Sequence, residues 1–87
     1  MRSIHYIAPN FAPTNAAEVS VLHLLDDLGM IPPDAVLKRS DVVYLSGLSD
    51  ERLDEDREIG DFEKATIEQY ARDNHLEEFY ARRHATK

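Results

Sequence analysis

The residues best suited to act on another molecule lie together in Asp50-Glu51-Arg52-Leu53-Asp54-Glu55-Asp56-Arg57-Glu58-Ile59-Gly60-Asp61-Phe62-Glu63, where eight acids stand against two arginines. This stretch carries -6 of the chain's formal net charge of -7. So many carboxylates in a short span raise the local negative potential, which attracts a basic surface and speeds its association in a salt-dependent way. Asp50, Glu51, Asp54, Glu55, Asp56, Glu58, Asp61 and Glu63 are therefore the candidate contacts for a basic partner protein. The plainer alternative is a solvated helix face whose acids keep a small protein in solution. Calcium binding fits poorly, because a calcium loop starting at Asp54 needs glycine at its sixth position, where Ile59 stands and Gly60 follows one residue late.

The C-terminal third holds the second group. Phe79 and Tyr80 are adjacent, so on a helix they point about 100° apart and cannot easily share one small core. An aromatic left for a partner is the type that anchors interfaces, and both are candidate anchors, for a partner or for a homodimer. Residues 66–84 read as helix, break, helix, which has the outline of a helix-turn-helix, with Arg82, Arg83 and Lys87 as phosphate contacts. Glu77 and Glu78 oppose that reading, since they would open the recognition helix with negative charge.

Groups for catalysis and metal binding are sparse. The chain has no cysteine, and its four histidines, His5, His23, His75 and His84, include no i, i+4 pair of the kind that presents two imidazoles to zinc. His75 with Glu78 is a two-ligand fragment. Ser46-Gly47-Leu48-Ser49 is not a nucleophile elbow, and Gly29, Gly47 and Gly60 each read as a helix end or turn, leaving none for a phosphate cradle. The expectation is a non-enzyme without metal or cofactor.

The elements that must position these residues follow from capping and periodicity. Asn15-Ala16-Ala17-Glu18 is the Asn form of a capping box. After it, Ala17, Val21, Leu24, Leu25 and Leu28 recur at helical spacing until Gly29, predicting a core helix over 16–28. Residues 3–8 alternate as a short strand would, and 41–46, with Val42 and Val43 between turn formers, predict a second strand, a helical turn being the alternative. Pro33 suits the first turn of a short helix running to Arg39. Ser49 caps a helix to about Ile59, which has only Leu53 and Ile59 to bury, and Gly60 ends it. Asp61 caps the next helix, with Ile67, Tyr70 and Ala71 as its stripe. A break near Asp73-Asn74 and a final helix over 75–84 explain why Phe62, Leu76, Phe79 and Tyr80 fall off that stripe.

These readings give one domain over 1–87, mostly helical α+β, with three to four helices and two short strands. At 87 residues a chain buries only roughly 60–65% of the surface it exposes when unfolded, which leaves a thin core and little depth for a catalytic cleft. Neither a signal peptide nor a membrane span is evident, so a cytoplasmic protein is expected. The net negative charge opposes general binding to nucleic acid or anionic membranes. By size and charge, the expected function is a small acidic inhibitor or neutraliser of a basic, nucleic-acid-processing partner, in the manner of a phage anti-defence protein, an antitoxin or an immunity protein. A DNA-binding regulator and a self-assembling structural subunit are the alternatives.

Overall fold

The computed structural model describes residues 4–8, 10–31 and 36–74. Among these residues the chain is entirely helical outside its turns and loops: α1 (Ile4–Ile7), α2 (Ala16–Asp27), α3 (Arg39–Ser46), α4 (Asp50–Leu53) and α5 (Asp61–Asp73). Helix α2 is the centre, packed by α1, α3 and α4, and α5 joins through α3.

The start of α2 shows how local chemistry fixes an element. Asn15 is extended, and its Oδ1 accepts from the Glu18 N–H at 2.9 Å. Glu18 does not return the bond to Asn15, as a standard box would; its Oε1 accepts from Thr14 N–H at 2.8 Å and from Thr14 Oγ1 at 3.2 Å. The helix ends in a Schellman motif. Gly29 is left-handed (φ 73°), its N–H donates to the Asp26 carbonyl at 3.0 Å, and Met30 N–H donates to the Leu25 carbonyl at 2.8 Å. The buried face of the helix comprises Ala17, Glu18, Val21, Leu22 and Leu25. Leu24, expected in the core stripe, packs on its margin.

Both expected strands give way to helix. Residues Ile4–Ile7 form a single helical turn. Residues 41–46 belong to α3, because both ends of that segment are capped as a helix. Asp41 Oδ2 accepts from the Lys38 N–H at 3.1 Å, and Gly47 closes the other end with φ 68°. Val42, Leu45 and Ser46 are buried together, a helical spacing that alternation along a strand would separate. Strand propensity of two valines is a weak preference beside two caps and a packed face. The expected helix up to Arg39 is also not formed over 36–38, which are irregular, with Leu37 buried and Val36 exposed; residues 32–35 lie outside the described part.

The helix expected from 49 to 59 stops after one turn. Ser49 caps it as anticipated, accepting from Arg52 N–H at 3.3 Å, but α4 ends at Leu53. Leu53 and Ile59 are both buried in the same core, and six residues apart on a helix they would sit about 120° from each other. Leaving the helix at Asp54 and bending through 55–57 lets both reach that core. Gly60, not Asp61, is the N-cap of α5, and Glu63 Oε1 accepts from the Gly60 N–H at 3.0 Å. Ile67 and Ala71 face inward, and α5 ends at Asp73 with Asn74 as its cap, at the expected break. The expected helix over 75–84 lies outside the described residues.

The described core is aliphatic: Ile7, Val21, Leu22, Leu25, Val42, Leu45, Leu53 and Ile67 are each at most 2% exposed. Burial of each such side chain contributes roughly 1.5–3 kcal/mol. At its edge Tyr44 of α3 and Tyr70 of α5 meet edge to face with ring centres 6.3 Å apart. Among the described residues no helix is long and apolar enough to cross a membrane.

Candidate functional site

The acidic segment is a strap of α4, a bend and the first turn of α5, held to the core by Leu53 and Ile59 and by three arginines. Arg39, at the start of α3, joins three acids. It pairs with Asp54 Oδ1 at 2.6 Å, with Asp50 Oδ1 at 3.5 Å, and with the buried Glu18 of α2. Among the described residues Glu18 Oε2 has no hydrogen-bond donor besides that guanidinium. Arg57 grips Glu63 with two parallel bonds, at 2.9 and 3.0 Å, and reaches Glu55 at 2.6 Å. Arg52 also pairs with Glu63 and lies 3.8 Å from Glu55. The strap is fastened to the start of α2 as well, since Asp56 Oδ1 accepts from Ala16 N–H at 3.2 Å and Asn15 Nδ2 donates to the Leu53 carbonyl.

These pairs divide the eight predicted contact residues. Glu63 is buried, and its hydrogen bonds from Arg57, then from the Gly60 N–H and Arg52, outweigh desolvation and hold its carboxyl down to about 2, from an ordinary 4.5. The same contact with Glu63, helped by Glu55, pushes the Arg57 guanidinium up from its already high value. Asp50, Asp54, Glu55 and Asp56 are exposed but engaged as described. Glu51, Glu58 and Asp61 are exposed and have no ion pair among the described residues. Phe62, beside Asp61, is 84% exposed, the most exposed large apolar side chain described. The other predicted contacts, Phe79, Tyr80, Arg82, Arg83 and Lys87, lie outside the described residues.

Among the described residues two clefts flank this scaffold. One, of about 280 Å³, is lined by Leu28, Met30, Glu68, Ala71 and Arg72, and its two charges neutralise each other in a 2.7 Å pair. The other, of about 270 Å³, runs between one face of α2 and the end of the strap, with Val19, Leu24 and Ile59 as apolar lining and Asp27, Glu58 and Lys64 as charged lining. Its apolar side chains are buried or half-buried and its charged ones exposed, so the charges form the rim and the aliphatic groups the floor. His23, half-buried, also lines it.

Sequence reasoning missed the Glu18–Arg39 pair, the exposure of Phe62 and this second cleft. Only the cleft left a trace, because Val19, His23 and Asp27 repeat every four residues along α2, off its buried stripe. Among the described residues no three His, Asp or Glu side chains converge as metal ligands. No protein-family model, curated protein or solved structure matches this chain.

Proposed function

We propose that the protein is a non-enzymatic binding module that docks a basic partner protein on the strap between α4 and α5. The observation that carries this reading is the division of labour among its carboxylates. Arg39, Arg52 and Arg57 hold one set in place, while Glu51, Glu58 and Asp61 stand exposed with no ion pair among the described residues, and Phe62 is next to them. A surface fixed before encounter loses little conformational freedom on binding, and its exposed carboxylates keep their steering field. Phe62 supplies apolar area of the kind that anchors interfaces. A nucleic-acid-processing enzyme or a basic toxin is the partner class that this surface suits, the protein then acting by occupying the partner's working face.

The test is affinity capture from nuclease-treated lysate of the source or its host, eluted with rising salt and read by mass spectrometry. The control bait carries Glu51→Gln, Glu58→Gln and Asp61→Asn, which leave the arginine pairs intact. A basic protein recovered in stoichiometric amount, and released from the control bait at lower salt, supports the reading. Identical release from both baits overturns it.

A further inference from the structure

The second cleft is where an acidic docking surface would take hold of an individual side chain. We infer that the groove between α2 and residues 58–64 is a receptor for an arginine or lysine side chain of the basic partner. This inference rests on the docking function proposed above and names the contact by which it would be made.

Three observations converge on the groove. Its floor of Val19, Leu24 and Ile59 suits the aliphatic stem of a long basic side chain, and a cleft of about 270 Å³ has room for one such chain. Its rim carries Asp27 and Glu58, two exposed carboxylates with no ion pair among the described residues, whereas most of the neighbouring strap acids are engaged. Asp27, moreover, is the last residue of α2, a helix with no basic residue in its final turn. An acid at that end opposes the helix dipole, so its position is unfavourable for the fold alone and favourable for holding a cation. The other cleft lacks these features, since its Glu68 is already held by Arg72.

Lys64 gives the inference a sign that a merely solvated surface would not show. Its ammonium shares the rim with the two carboxylates and repels an incoming cation, so removing it should strengthen binding while removing either acid weakens it. The probe is N-acetyl-L-arginine methylamide, titrated into the full-length protein and followed by two-dimensional NMR. Its uncharged norleucine counterpart serves as the control. The expected result is saturable shifts of the Leu24 and Ile59 methyl signals with the arginine compound and none with norleucine. The double variant Asp27→Asn/Glu58→Gln should weaken binding about fivefold, and Lys64→Met should strengthen it about twofold, as expected for exposed charge pairs. An unchanged backbone spectrum establishes that the variants fold, as their exposed positions predict. Shifts that do not saturate, or that ignore both sets of substitutions, overturn the inference. Capture of the partner by an Asp27→Asn bait at undiminished salt resistance would remove the groove and leave the strap as the docking surface.

Discussion

Gly47→Ala tests the packing of α3 on α5, which supports one side of the fold. Gly47 has φ 68°, a conformation that costs an L-residue roughly 1–2 kcal/mol. A Cβ placed there would lie 2.6 Å from Tyr70 Cγ, 2.8 Å from Cδ2 and 3.0 Å from Cβ. Those atoms include the root of the ring, so no end-of-chain rotation relieves the contact, and Tyr70 is itself held against Tyr44. Overpacking of this kind costs roughly 1–3 kcal/mol. The two contributions together predict a loss of about 2–5 kcal/mol, measured by urea unfolding followed by far-ultraviolet circular dichroism, with an unchanged denaturant slope. In a Tyr70→Ala background the clash disappears and only the backbone cost of about 1–2 kcal/mol remains. Gly47→Asn, which tolerates the left-handed conformation but keeps the Cβ, should remain destabilising in the native background. Equal costs of Gly47→Ala with and without the Tyr70 ring would refute the close approach.

Glu63 gives a pH prediction. Its carboxyl titrates near 2 in the folded protein and near 4.5 when unfolded, so its stabilisation is complete above pH 4.5 and is lost as pH falls toward 2. Glu63→Gln should therefore unfold at lower urea than the native protein at neutral pH, with the difference shrinking across that acid window in matched titrations. Arg39→Met should destabilise by about 3–5 kcal/mol, since it strands the buried carboxylate of Glu18, and Glu18→Gln added to it should restore part of the loss in urea unfolding. Asp27→Asn should raise stability by about 0.3–1 kcal/mol by removing an acid from the C-terminal end of α2, and thermal unfolding at low salt measures it.

The parts of the fold legible in the sequence were those fixed by nearby residues. Asn15, Gly29 and Ser49 signal their caps within a few positions, and the bounds of α2 follow from them. Residues 41–46 were ambiguous because a short apolar run carries no periodicity, and the cap that decides it is a carboxylate bonding three residues back. The strap was misread as a helix because both Leu53 and Ile59 must enter the core, a demand set by elements far away in sequence. The acidic cluster was visible as composition, but which acids are spent on arginines was not. Arg39 reaches Asp54 across 15 positions, and no local pattern announces such a meeting.

The fastening of the strap to the start of α2 bears on the order of folding. Ala16 N–H finds its acceptor 40 positions along the chain at Asp56, and Asn15 finds its own 38 positions away on Leu53. The helix that looks most autonomous in the sequence therefore has a first turn that is finished only when a distant segment arrives. Closing that loop is an entropic expense met late in folding, so the opening turn of α2 and the strap should gain and lose protection from hydrogen exchange together. A protein gripping the strap would, by the same connection, slow exchange in the first turn of α2 through bonds made to a distant segment.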